Sequence, residues 1–172
     1  SDIYFNHSID NGVTWQTSDI RLDSGDTSGT HNSDNPRIAC SGNHVFVTWE
    51  DNRNGSDDIY FNHSTDNGAT WLASDIRLDT GEPAGAHGSY RPQITCAGDH
   101  VFVTWTDNRN GSYDIYFNHS TDNGATWLAS DIRLDTGDIP GAHFSYDPQV
   151  TCSGNHVFVT WEDTRNGSYD IY

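Results

Sequence analysis

Three arginines, Arg53, Arg109 and Arg165, recur at an interval of 56 residues, each inside an Asp-x-Arg-Asn-Gly-Ser run. A guanidinium fork grips carboxylates through paired hydrogen bonds, so all three are candidate binding residues. The aspartates beside them offer an internal partner too, and an ion pair that stiffens the loop is the favoured reading. Nine histidines form three sets. His7, His63 and His119 follow one short strand, and His44, His100 and His156 sit at a hairpin turn. His31, His87 and His143 lie in long loops and join the candidate binding residues, with solvated loop histidine as the plainer alternative. One histidine per repeat is a thin ligand set, so no metal site is expected. Tyr90, Arg91 and Tyr146 complete the candidate binding set. The run DNRNGSYD, Asp107 to Asp114, partly resembles an Asp-x-Asn-x-Asn-Gly calcium loop. Arg109 stands where that loop needs a ligand oxygen, so no cofactor is expected and calcium stays as the alternative. Cys40, Cys96 and Cys152 hold one position per repeat, where the Cα separation should exceed the ~7 Å reach of a disulfide. They read as buried free thiols. Asn6, Asn62, Asn118, Asn54, Asn110 and Asn166 all satisfy Asn-x-Ser/Thr, which reads as turn composition rather than glycosylation.

The elements that must position these side chains come from the repeat. DIYFNHS begins at Asp2, Asp58 and Asp114, and Asp-Ile-Tyr returns at Asp170, giving units of about 1–56, 57–112 and 113–168. Residues 57–112 and 113–168 differ at only eleven positions, among them Gly88 against Phe144 and Arg91 against Asp147. Within the middle unit, strands are expected at Arg91–Gly98, His100–Asp107, Asp114–Ser120 and Ala129–Asp135, with Gly or Asn at the strand ends and no helix-period stripe. Val101, Val103 and Trp105 share one strand face while Phe102 and Thr104 share the other. A sheet apolar on both faces must be sandwiched between neighbours, which predicts an all-β fold of four-stranded antiparallel blades, a β-propeller, as a single domain over 1–172.

Charge narrows the partners. The chain carries 25 acidic and 8 basic residues, a formal net charge of -17. Such a field repels phosphates, so neither nucleic acid nor an anionic membrane surface is expected to bind. Every basic residue is arginine, and Glu50, Glu82 and Glu162 leave 22 aspartates among the 25 acids, a bias suited to a strongly hydrated surface. No apolar run approaches the roughly 20 residues of a membrane helix.

A second recurrent unit is Ser-x-Asp-x-Gly-x-x-Trp, complete at Ser8, Asp10, Gly12 and Trp15, at Ser64, Asp66, Gly68 and Trp71, and at Ser120, Asp122, Gly124 and Trp127. The aspartate can accept hydrogen bonds from its own turn, the glycine supplies positive φ, and the indole can fold back on the hairpin. The pattern resembles the Asp-box, or BNR, repeat of the sialidase superfamily, and the wider unit is similar to extracellular BNR-like propeller repeats. The resemblance implies a structural role for the boxes, at a propeller face opposite the functional one, and a location outside the cell or on its surface. It also implies what a sialidase would need: three arginines from different blades, a tyrosine activated by glutamate, and an acid/base aspartate. The family's arginine motif is only echoed in Tyr90-Arg91-Pro92, where one residue is missing, and Asn35 to Arg37 and Tyr146 to Pro148 depart further.

Two functions follow as expectations. The first is a non-catalytic propeller module, a scaffold or a multivalent binder of carbohydrate or protein. The alternative is a sialidase-like glycoside hydrolase with a degenerate site. Near-identical repeats favour the first, because glycosidase chemistry needs groups in unlike protonation states. The chain supplies half a blade, two whole blades from about Pro36 to Leu78 and Pro92 to Leu134, then two strands from Pro148 to Asp163. A homodimer closing one six-bladed ring is the expected assembly, unless the chain is part of a longer protein that supplies the missing blades itself.

Overall fold

The computed structural model describes residues 1–172. Thirteen strands run in chain order: β1 Tyr4–Phe5, β2 Ile20–Arg21, β3 Ser33–Ser41, β4 His44–Asp51, β5 Asp58–Ser64, β6 Ile76–Arg77, β7 Ser89–Ala97, β8 His100–Asp107, β9 Asp114–Ser120, β10 Ile132–Arg133, β11 Ser145–Ser153, β12 His156–Asp163 and β13 Asp170–Ile171. They form two complete four-stranded meanders, β3-β4-β5-β6 and β7-β8-β9-β10, flanked by the pair β1-β2 and the triplet β11-β12-β13. All pairing is antiparallel.

The sheets stack face to face because their middle strands are apolar on both sides. Phe46, Ile59 and Phe61 of one complete sheet pack against Val101, Val103 and Trp105 of the next. The other face of that first sheet sends Val47, Trp49 and Tyr60 against Ile3, Phe5 and Leu22 of the N-terminal pair. Polar groups tie the same seams. Ser89 Oγ lies 2.7 Å from Asp79 of the preceding sheet and 3.0 Å from Asp107 of its own.

Four details differ from the sequence reading. The first strand of each unit begins two residues earlier, at Ser89 rather than Arg91, and is bulged between Tyr90 and Gln93. The fourth strand shrinks to Ile132–Arg133, because Asp131 turns its carboxylate to Arg109 and to the amide of Gly81, outside the ladder. The C-terminal sheet holds a third strand, since Asp170 and Ile171 pair with Asp163 and Glu162. The cysteines are free but not buried: Cys40 is exposed and the other two half-exposed. The Cys96 sulfur sits 3.1 Å from the Cys40 carbonyl oxygen and that of Cys152 3.4 Å from the Cys96 oxygen, because β3, β7 and β11 pack directly on one another.

Candidate functional site

One end of the stack is closed by the Ser-x-Asp-x-Gly-x-x-Trp turns. In the middle one, the Ser64 hydroxyl donates to Asp66 at 2.7 Å and accepts from the Gly68 amide at 2.8 Å. The Asp66 carboxylate also accepts from the amide and hydroxyl of Thr70, at 2.8 and 2.7 Å. These bonds hold its carboxyl down at about 2, the Thr70 hydroxyl contributing most. Asp10 and Asp122 repeat the arrangement. Trp71 and Trp127 each donate to the glycine carbonyl of their own turn at 3.1 Å. In all three turns the aspartate is occupied by donors of its own turn.

The opposite end carries the loops with the recurrent arginines. Arg53 is gripped by Asp51 and, at 2.8 Å, by Asp75, and its guanidinium lies 4.1 Å above the Tyr60 ring. Its side chain is only 10% exposed. Arg109 repeats this with Asp107, Asp131 and Tyr116, while Arg165 pairs with Asp163 and covers Tyr172. Arg53 and Arg109 act as struts from their own loop to Asp75 and Asp131, whereas Arg165 is paired only within its own loop. His31 and His143 bond to Asp26 at 2.9 Å and Asp138 at 2.6 Å, and His87 bonds to Glu82, all within the long loops. In the run that resembles a calcium loop, Asp107 accepts from Trp105, Ser89 and Arg109. Asp114 accepts from Asn110 and Gly141. Those oxygens already serve protein donors.

At the same end a cleft of about 410 Å³ opens among Asn35, Glu50, Tyr90, Arg91, Tyr113 and Tyr146. It is built on the strand bulges. Asn35, Arg91 and Asp147 occupy equivalent positions there and take φ of 51°, 55° and 50°, a left-handed conformation that non-glycine residues seldom adopt. The bulge throws the side chains across the seams: Arg91 pairs with Asp147 and lies 4.4 Å above the Tyr146 ring. Asn35 donates to Glu50 at 2.9 Å, and Glu50 also accepts the Arg91 amide. Tyr113 meets Tyr146 edge-on, ring centres 4.8 Å apart, and Tyr90 at 6.1 Å. Gly88 makes room for Tyr90, whose hydroxyl a Cβ there would strike; Phe144 occupies the equivalent place beside Tyr113. Burial pushes the Tyr90 and Tyr146 phenols up, helped by Asp57 at Tyr90 and by Tyr113 at Tyr146. Both therefore remain neutral hydrogen-bond donors. Asp57 is itself pushed up by burial and by the charges of Glu50 and Asp34.

Of the sequence-selected residues, Tyr90, Arg91 and Tyr146 converge here, while the strut arginines and the loop histidines stay apart in their own ion pairs. Glu50, Tyr113 and Phe144 were missed. The signal for two of them was the comparison between repeats, because Asp57 against Tyr113, Gly88 against Phe144 and Arg91 against Asp147 are differences between otherwise matching units.

Stacked antiparallel meanders with loops gathered at one end are found in known structures. Zg3597, a family 117 glycoside hydrolase of the marine bacterium Zobellia galactanivorans, superposes with a TM-score of 0.54 at 11% identity, over 88% of this chain and 55% of its own. Trypanosoma rangeli sialidase, as the covalent intermediate with 2,3-difluorosialic acid, gives 0.52 at 12% identity, over 99% of this chain and 32% of its own. The fold shared with both is that of stacked four-stranded β-propeller blades. This propeller chain spans about half the length of the first relative and about a third of the second. No protein-family model matches its sequence, and neither does any curated protein. No helix of the propeller is long and apolar enough to cross a membrane.

Proposed function

We propose that the protein is a non-catalytic Asp-box propeller module that binds carbohydrate in the cleft between Tyr90, Tyr113 and Tyr146. The observation that carries this reading is that three of the eleven differences between the two units, Arg91/Asp147, Asp57/Tyr113 and Gly88/Phe144, gather around one cleft. A frame needs no such differences. Aromatic faces beside neutral phenols and an amide suit a sugar ring, which has apolar C–H faces and hydroxyl edges. Arg91 is already balanced by Asp147, and the formal charge of -17 disfavours an anionic ligand, so an uncharged saccharide is the favoured class. The turns at the other end serve as structural Asp boxes, and the module acts outside the cell. Glycan-array screening followed by calorimetry tests this: Tyr113→Ala should weaken the best saccharide by about tenfold or more, with unchanged thermal stability of the frame. Equal binding by the variant would remove the cleft from consideration.

A second reading, a sialidase-like hydrolase, rests on Asp57, a carboxyl that keeps its proton to higher pH beside Tyr90 and the charge of Glu50. A fluorogenic sialoside separates the two. Turnover abolished by Asp57→Asn would establish the enzyme, whereas no turnover together with saccharide binding supports the module. The raised tyrosine pKa values weigh against a phenolate nucleophile.

A further inference from the structure

The two seams that meet in the cleft are closed by different links. Between β7 and β11 the Arg91 guanidinium pairs with the Asp147 carboxylate, and Thr106, which matches Glu50 of the preceding sheet, is fully buried. Between β3 and β7, Asn35 stands where Arg91 does, and Glu50 carries the link. Its Oε1 accepts the Asn35 side-chain amide at 2.9 Å and the backbone amide of Arg91. The other oxygen, Oε2, takes no protein donor, although Glu50 is only 5% exposed and forms part of the cleft wall. A buried carboxylate with half of its acceptor capacity unused is costly unless a donor arrives from outside the chain.

A second carboxylate stands on the same side. Ser89 donates its amide to the Asp57 carbonyl oxygen at 2.7 Å, as Ser145 does to that of Tyr113, so Asp57 holds toward Tyr90 the place that Tyr113 holds toward Tyr146. Where the later seam sets a ring against a ring, the earlier one sets a carboxylate beside a phenol. Asp57 is half-buried, and no protein group donates a hydrogen bond to its carboxylate. Burial and the charges of Glu50 and Asp34 push that carboxyl up, so a hydrogen-bond donor is wanted there and a further anion is not. The cleft thus has an aromatic wall, Tyr113 and Tyr146, and an acceptor wall, Glu50 and Asp57.

Granted the saccharide reading, on which this rests, we infer that Glu50 and Asp57 determine which saccharide binds: an uncharged hexopyranoside that turns adjacent free hydroxyls to the acceptor wall and a C–H face to the rings. Carboxylates accept hydroxyl protons through charge-assisted hydrogen bonds, and two neighbouring hydroxyls match the two oxygens of one carboxylate. The same wall rejects a sulfated hydroxyl or a uronate by like charge. It rejects an O-methylated hydroxyl because a buried acceptor is then left unpaired.

Saturation-transfer NMR and calorimetry with the methyl glycosides of glucose, galactose and mannose test this. At least one should bind, and its monodeoxy analogues identify the hydroxyls in contact. Glu50→Gln keeps Oε1 for Asn35 and Arg91 but turns the free oxygen into an N–H donor. Asp57→Asn makes the same change on a carboxylate that has no protein donor to lose, so it tests the point even where Glu50→Gln loosens the seam. Each variant should raise Kd about tenfold or more with the melting temperature unchanged. The deoxy analogue lacking the contacted hydroxyl should lose no further affinity in the matching variant, and the sulfate ester at that hydroxyl should not bind. Wild-type affinity in both variants, additive losses, or equal binding of the sulfate ester would overturn the inference. Loss of binding in Tyr113→Ala would then leave the saccharide reading standing alone, whereas no binding of any of these glycosides to the wild type would overturn both.

Discussion

The Ser-x-Asp-x-Gly-x-x-Trp turns at residues 64–71 and 8–15 have nearly the same sequence and nearly the same internal hydrogen bonds, yet they sit in different surroundings. In the interior turn Gly68 is buried with Phe5 against it, and Trp71 crosses the same ring. In the outer turn Gly12 has open space around it and Trp15 is 60% exposed. The serine–aspartate lock is therefore a local property of eight residues. The glycine and tryptophan do a second task, joining one sheet to the one before it, and only where that sheet is present.

Substitution can break this comparison. A Cβ on Gly68, whose φ is 88°, would lie 2.5 Å from the Phe5 ring. Gly68→Ala should therefore destabilise by about 2–5 kcal/mol, adding a left-handed backbone penalty to overpacking. Gly12→Ala carries the backbone penalty alone and should cost about 1–2 kcal/mol in urea melts of the single chain. Equal losses would show that the Phe5 contact has no energetic weight. Next, Trp71→Ala should cost about 2–3 kcal/mol, and Trp15→Ala about 0.5 kcal/mol or less under monomeric conditions. The smallest contrast lies in acid. Asp10, Asp66 and Asp122 are all held at about 2, chiefly by the threonine hydroxyl of each turn. Their folded values lie below the unfolded one near 3.8, so their stabilisation is present above about pH 4 and disappears as pH falls through about 2. Asp10→Asn and Asp66→Asn should flatten the acid limb of a pH–melting curve equally. A greater effect at Asp66 would make the lock depend on its neighbour.

Much of the fold was legible because its causes are local. Val101, Phe102, Val103, Thr104 and Trp105 alternate in strand period with both faces apolar, and glycine marks the turns. The first strand was misjudged at Ser89 and Tyr90 because its bulge rests on Arg91 in a left-handed conformation before Pro92, which residue type alone does not announce. The cleft was half legible. Tyr90, Arg91 and Tyr146 stood out by type, but Glu50 reaches the site across 41 positions of sequence to the Arg91 amide. Tyr113 enters only because the seam brings its ring to Tyr146. The strut arginines show the opposite case: the aspartates that capture Arg53 and Arg109 include one 22 residues away, and the outcome anticipated from the adjacent Asp51 and Asp107 survives in the larger network.

The hydroxyl of Ser89 has one hydrogen and faces two carboxylates, Asp79 and Asp107. It can donate to only one, so a second proton is wanted in the seam, and burial together with the charge of Asp58 raises the Asp79 carboxyl to about 7. The stack thus stores a proton that the unfolded chain, with an aspartate near 3.8, would release. Between about pH 4 and pH 7 denaturation should be accompanied by proton release, and stability should fall as pH rises through that window. Calorimetric unfolding near pH 6 in buffers of different ionisation enthalpy would count the proton, and Asp79→Asn should abolish it. The formal charge of -17 is then an upper bound on the magnitude of the field the folded protein carries at neutral pH.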